Sequence, residues 1–276
     1  MPLSIEQKRA EFRKLHESGC FVIPNPWDVG SARLLADMGF KALASTSSGM
    51  AWSSGRSDND LPVDQVLAHL KLLSDATDLP VNADFEAGFA DEPEGVAANV
   101  TRGVATGVAG ISIEDSTGNV KQPLYEFKLA VERMRAARAA IDSTKQNVML
   151  VGRCESFLIG QPDLKATIER LVAYADAGAD CLYAPGIKSK ADIVAIVKAV
   201  APKPANLLVG MPGGASVAEI ADFGVRRISV GGAMARAAWG GFLRAARAIA
   251  ENGSFGEFAH AVPYAEINGK FGGEAF

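Results

Sequence analysis

Short apolar runs rich in β-branched residues alternate along this chain with longer stretches whose apolar positions recur every three or four residues. That alternation predicts parallel strands joined by helical crossovers. Strands are expected at 21–24, 41–46, 80–85, 110–115, 147–153, 180–184, 206–210 and 227–230. Helices are expected at 28–38, 62–76, 93–106, 124–141, 162–177, 190–200, 216–223 and 232–251. Eight such pairs in 276 residues fit one closed (β/α)₈ barrel, which typically takes roughly 250 residues. The punctuation agrees: Pro62, Pro93 and Pro162 fall in first helical turns, and Gly39, Gly107 and Gly178 follow helix ends just before apolar strands. The alternative, a doubly wound open sheet, favours a Gly-x-Gly-x-x-Gly turn after its first strand, and none follows 21–24. The ends flank a single domain spanning 1–276: residues 1–19 predict a leading helix and 252–276 a helical tail carrying Phe255, Phe258, Tyr264 and Phe271.

Composition narrows the class of ligand. The chain is 48% hydrophobic and 22% charged, enough apolar surface for a sizeable core. A net charge of −4 without basic runs argues against nucleic acid and for a small-molecule partner. No uncharged apolar run of about 18 residues is present, so no membrane span is expected. Residues 1–15 lack the apolar segment of an export signal, which predicts a cytoplasmic protein. Cys20, Cys154 and Cys181 are odd in number and widely spaced, as reduced buried thiols would be.

Polar residues on the inward face of a barrel strand need a reason. In the third strand the apolar Val81, Ala83 and Phe85 suit the helix layer, which turns Asn82, Asp84 and Glu86 toward the barrel mouth. Carboxylates so close raise each other's pKa unless a cation sits between them, and hard oxygen ligands of this kind suit Mg²⁺. Glu114 ends the fourth strand, and Arg153 and Glu155 are in phase at the end of the fifth. All lie at C-terminal strand ends, where barrel active sites are built; a purely structural ion cluster is the competing reading. Thr46-Ser47-Ser48-Gly49 after the second strand offers N–H and O–H donors for a carboxylate or is a plain loop. Asp58 is a helix cap, a solvated charge or a site residue, and Trp27 and Trp52 either wall the mouth or pack in the core. His16, His69 and His260 fall away from every strand end, so no histidine is expected as general base.

These motifs resemble the isocitrate lyase and phosphoenolpyruvate mutase superfamily over nearly the whole chain. The family's Asp-x-Asp-x-Gly-Tyr-Gly is similar to Asn82-Ala83-Asp84-Phe85-Glu86-Ala87-Gly88, its Ile-Glu-Asp to Ile113-Glu114-Asp115, and its Ala-Arg-Thr-Glu-Ala to Gly152-Arg153-Cys154-Glu155-Ser156. The resemblance implies a TIM barrel in which Asp58, Asp84 and Glu114 hold the waters of Mg²⁺. It also places Thr46 and Ser47 on the ligand carboxylate and Arg153 on the ligand oxygens. Asn82 stands where the family has an aspartate, with Glu86 available to supply that charge. It implies cleavage or formation of C–C or P–C bonds through a pyruvate-like enolate, and a homodimer or homotetramer in which the tail packs on a neighbouring subunit.

One departure bears on the reaction. The lyases carry a Lys-Lys-Cys-Gly-His loop after the fourth strand, whereas this chain reads Ser116-Thr117-Gly118-Asn119-Val120-Lys121-Gln122-Pro123-Leu124. Without that cysteine a carbanion leaving group lacks its proton donor, with Lys121 as the remaining candidate. The expected activity is therefore a Mg²⁺-dependent lyase or decarboxylase acting on a small 2-oxo or 2-hydroxy di- or tricarboxylic acid. Phosphoenolpyruvate mutase or phosphonopyruvate hydrolase chemistry is the enzymatic alternative, and a non-catalytic 2-oxo acid binding protein is the rival.

Overall fold

The computed structural model describes residues 2–272, and all eight expected strands form in it. They are β1 (Phe21–Ile23), β2 (Leu43–Ala44), β3 (Val81–Asp84), β4 (Gly110–Glu114), β5 (Met149–Arg153), β6 (Cys181–Tyr183), β7 (Ala205–Leu208) and β8 (Arg227–Ser229). The order β1-β8-β7-β6-β5-β4-β3-β2 brings the last strand back onto the first in parallel, Phe21 opposite Arg227 and Ile23 opposite Ser229. At the remaining seam the Ala44 N–H donates to the Pro24 carbonyl at 3.0 Å. The sheet is thus a (β/α)₈ barrel, and the Ala44–Pro24 bond that joins its two end strands excludes the open sheet.

The helices are α1 (Ile5–Leu15), α2 (Val29–Asp37), α3 (Ser47–Ser53), α4 (Val63–Ala76), α5 (Pro93–Ala105), α6 (Phe127–Ser143) and α7 (Leu164–Asp176). They continue with α8 (Lys190–Val200), α9 (Val217–Asp222), α10 (Ala233–Asn252) and α11 (Tyr264–Phe271), the last two separated by a 3₁₀ turn at Gly256–His260. The expected termini hold where one residue settles them. Gly39, Gly107 and Gly178 all adopt positive φ, the left-handed C′ conformation that closes a helix. Elsewhere a side chain moved the boundary: Asp163 accepts from the Ala166 N–H at 3.0 Å, so α7 begins after Pro162 rather than on it. Leu124 is taken by a bridge to Ser116, and α6 waits for Glu126, whose carboxylate accepts from Lys128 and Leu129. Met1 and the end of the expected tail, 273–276, lie outside the described residues.

The main core lies between sheet and helices, with Leu70, Leu73, Val96, Val100, Ile111, Leu150 and Leu171 fully buried. Inside the barrel, a second cluster of Ile23, Ala44, Ala109 and Met149 closes around Phe12 of α1. The leading helix therefore plugs the N-terminal end of the barrel. Lys8 and Arg9 fasten it by donating to the Ser74, Thr77, Val104 and Val108 carbonyls at 2.6–2.9 Å. That leaves the opposite, C-terminal mouth as the open end.

Candidate active site

Asn25, just past β1, ties the mouth together. Its amide N–H donates to the Ser45 carbonyl at 2.8 Å, and its oxygen accepts from the Val230 and Gly231 N–H groups at 3.0 and 2.9 Å. Strand ends of β1, β2 and β8 are thereby fixed by one buried side chain. After β2 the chain enters α3, a helix where the sequence suggested a loop or cradle. Thr46 caps it, its hydroxyl accepting from the Gly49 N–H at 3.3 Å and meeting Ser48 Oγ at 3.1 Å. Ser47 turns the other way: its N–H donates to Asp84 Oδ2 at 3.0 Å, and its side chain lies near Asp58. Thr46 and Ser48 thus bond each other in the first turn of α3, while the Ser47 N–H is engaged by the acid of β3, with the loop acid Asp58 close by.

Asp84 is held from below by Ser45, whose hydroxyl accepts its N–H at 2.8 Å. Two residues on, Glu86 adopts φ 45°, a left-handed conformation rare for a residue with a side chain, and its carbonyl accepts the Glu114 N–H at 3.0 Å. Outliers of this kind cost free energy and concentrate at functional sites. At the centre stands Arg153. Its Nη1 lies 3.0 Å from Asp84 Oδ1 and 3.3 Å from Glu114 Oε2, and its Nε holds Glu155. The guanidinium also lies over the Tyr183 ring, 5.1 Å from its centroid.

The charges do not balance. Asp58, Asp84, Glu86, Glu114 and Glu155 gather around one arginine. Burial, with Asp84 and Asp58 adding repulsion, pushes Glu86 up to about 8. Burial also holds Glu114 well above the usual carboxylate range, against the pull of Arg153 and with Glu155, Asp84 and Glu86 adding to the rise. Arg153 is held above its ordinary value by Glu114, Glu155 and Asp84 despite its burial. An all-oxygen donor set with excess negative charge fits a hard cation that keeps its waters, which is the habit of Mg²⁺. Among the described residues no three His, Cys, Asp or Glu side chains converge to hold a bare ion. Asp58, Asp84, Glu86 and Glu114 are the acids that would hold a hydrated ion through its waters.

The structure adds detail at three residues of the sequence reading. Asn82 shares the inward face with Asp84 but lies one layer deeper, where its Oδ1 is 3.4 Å from Arg227 Nη1. The motif fits better two residues later, with Asp84 and Glu86 as its two acids, Gly88 as its glycine and Phe89 as its aromatic residue. Trp52 borders a groove of about 530 Å³ with Arg56, Arg236, Trp239 and Leu243, and its ring packs against Gly232 just past β8. His69, set aside in the sequence because it lies on a helix, borders a small cavity with Ser45, Ser47, Asp84 and Glu86. Burial lowers its pKa below the ordinary imidazole value, against the pull of Asp28.

Comparison with known proteins agrees with the barrel fold. A family model described as phosphoenolpyruvate phosphomutase matches residues 12–250. The uncharacterized protein Rv1998c of Mycobacterium tuberculosis is 31% identical, covering 94% of this chain and 95% of its own. An oxaloacetate decarboxylase of Bradyrhizobium diazoefficiens is 29% identical, covering 71% of this chain and 69% of its own. A crystal structure described as a "putative lyase/mutase" from Burkholderia cenocepacia J2315 superposes with a TM-score of 0.94 at 47% identity, covering 98% of this chain and 97% of the other. Barrel, acid cluster and matches together place the chain in the phosphoenolpyruvate phosphomutase family, as a carbon–carbon lyase type of enzyme within the isocitrate lyase and phosphoenolpyruvate mutase superfamily.

Proposed function

We propose that the protein is a Mg²⁺-dependent lyase or decarboxylase of a small 2-oxo or 2-hydroxy di- or tricarboxylic acid, with oxaloacetate the leading candidate. The observation that carries this reading is Arg153, fixed by Glu155 and facing Asp84 and Glu114 at the open mouth. Bound Mg²⁺ would supply Lewis-acid polarisation of the 2-oxo group. Arg153 would hold the oxygens of a pyruvate-like moiety, where negative charge develops as the C–C bond breaks, and pre-aimed donors of this kind are usually the largest catalytic term. In oxaloacetate the breaking bond leaves its electron pair in the enolate of pyruvate and releases CO₂. Water then protonates C3.

That route asks for no positioned acid, and in place of the cysteine the loop offers only Lys121. Residues 116–124 close on themselves through the Ser116–Leu124 bridge and contain no cysteine or histidine. Cys154 cannot substitute, since it is fully buried and burial, with Asp115 nearby, pushes its thiol up to about 12. A positioned donor is worth roughly 10²- to 10⁴-fold to a cleavage that expels a carbanion, so methylisocitrate cleavage should be slow here.

The test is a turnover screen of the purified protein with Mg²⁺ and with chelator against oxaloacetate, 2,3-dimethylmalate, 2-methylisocitrate and phosphonopyruvate. The last is included because the matching family model is described by phosphomutase chemistry. Metal-dependent loss of oxaloacetate, unchanged in Cys154→Ser, is expected. Rapid methylisocitrate cleavage with oxaloacetate untouched would overturn the substrate. Tight calorimetric binding of all four acids without turnover would make the protein a 2-oxo acid binding protein.

A further inference from the structure

Glu114 and Asp115 are adjacent carboxylates at the end of β4 with opposite orientations. Glu114 faces Arg153 in the mouth, while Asp115 points into the helix layer and is 3% exposed. There its Oδ2 accepts from the Tyr174 hydroxyl at 2.6 Å and from Arg170 Nη1 at 3.2 Å, both on α7. Its Oδ1 accepts from the Glu155 N–H at 2.8 Å. The backbone repeats the link, since the Asp115 N–H donates to the Arg153 carbonyl at 3.2 Å and the Asp115 carbonyl accepts the Tyr125 N–H at 2.9 Å. Arg170 then closes the circuit by donating to the Tyr125 carbonyl at 2.9 Å.

We infer that Asp115, braced by Tyr174 and Arg170, is a positioning residue that aims Arg153 by fixing the backbone of Glu155. The catalytic consequence rests on the reading above, whereas the geometry does not. The chain of connection is continuous: Tyr174 and Arg170 hold Asp115, Asp115 holds the Glu155 amide, and the Glu155 carboxylate holds Arg153 Nε. Arg153 Nη1 is left to reach Asp84 and Glu114. If Asp115 served only as the ion-pair partner of Arg170, neither the bond to the Glu155 amide nor any effect on Arg153 would be required. A buried carboxylate that accepts three hydrogen bonds is held rigid, and partial loss of such a network is felt along it. A reacting group displaced by about 1 Å can lose on the order of 10²-fold in rate.

The experiment reads Arg153 itself. Solvent exchange of its Nε–H, followed by NMR, should be slow in the wild type and speed up about tenfold in Tyr174→Phe and in Asp115→Asn, because the Glu155 carboxylate is no longer held in place. In a Glu155→Gln background the same Asp115→Asn change should alter that exchange less than about twofold, since coupled residues are not additive. Tyr174→Phe removes a single hydroxyl and keeps the result readable if Asp115→Asn folds poorly. Unchanged Arg153 exchange in the folded variants, or full acceleration in the Glu155→Gln background, would overturn the inference. Oxalate affinity at saturating Mg²⁺ is measured alongside, with about a tenfold loss expected in both single variants. A wild type that ignores oxalate while the exchange results stand would remove the proposed function and leave the positioning role intact.

Discussion

Glu86 carries the sharpest residue-scale consequence of the charge imbalance. Its folded pKa of about 8 lies above the ordinary 4.5, with burial the main cause and Asp84 next. A raised carboxylate contributes stability that is fully present below pH 4.5 and is lost as pH rises through about 8. Metal-free protein should therefore weaken between those limits, and Glu86→Gln should remove that component. We expect the variant to exceed the wild type by about 1–2 kcal/mol at pH 8.5 and to match it near pH 5, in urea unfolding with chelator present. Mg²⁺ should restore the wild type at high pH and leave the variant little changed. Equal pH profiles for the two proteins would remove Glu86 from the charged cluster. Asp84→Asn should cost at least about tenfold in Mg²⁺ affinity by calorimetry, and an unchanged affinity would remove Asp84 from the metal's donors. The identity of these acids was legible because a polar residue on an inward strand face demands a partner. The depth of each was not, since Asn82 and Asp84 share one phase, and only the position of Arg227 shows that Asn82 belongs to the layer beneath.

At the scale of elements, strands and crossover helices were legible from periodicity alone, because each strand is covered by helices and reads as an apolar run. Helix α3 was not. Ser47-Ser48-Gly49 reads as loop chemistry, and the helix depends on the Thr46 cap and on Asp84 binding the Ser47 amide, which is a tertiary contact. The plugging role of α1 was likewise hidden, since it needs the closed barrel. That role exposes a pH-sensitive joint. His16 donates through Nδ1 to the Phe12 carbonyl at 2.8 Å, which leaves Nε2 as acceptor 3.5 Å from Arg227. Burial, with Arg227 next, pushes its pKa from 6.5 down to about 3. For a depressed group the contribution is present above pH 6.5 and is lost as pH falls toward 3. Protonation would put two cations side by side in the barrel interior, a penalty on the order of 2–4 kcal/mol at the acid end. His16→Gln should cost about 1 kcal/mol at pH 7.5, where it loses a good hydrogen bond. It should overtake the wild type by pH 4.5 in urea midpoints. A constant offset at every pH would show that His16 does not set the acid limb.

At the scale of the molecule, the last elements are poorly covered by the chain's own barrel. Helix α10 runs 20 residues, yet Ala235 is its one buried residue. Phe242 is 59% exposed and Leu243 43%, and Trp239 sits edge-on to Phe242 beside the groove shared with Trp52. Beyond it Phe255, Phe258 and Tyr264 are 65%, 55% and 81% exposed, while α11 is tied back to α2 by the Lys270–Asp37 pair. So many exposed aromatic and aliphatic side chains at one end of the chain are uncommon on a monomer and suit an interface. A specific interface buries roughly 800 Å² per partner around aromatic anchors, and a 20-residue helix with an exposed aromatic face has the length for it. A second copy of the chain is the simplest occupant, because a symmetric pair covers both faces at once. The protein should therefore have the mass of a dimer or tetramer in light scattering at micromolar concentration. Phe242→Asp combined with Leu243→Asp should shift it toward the monomer. Both residues lie outside the barrel core, so cooperative unfolding should survive the change. A monomeric wild type would defeat the assignment. A variant that unfolds outright instead of dissociating would show that this helix face stabilises its own barrel rather than a neighbour's.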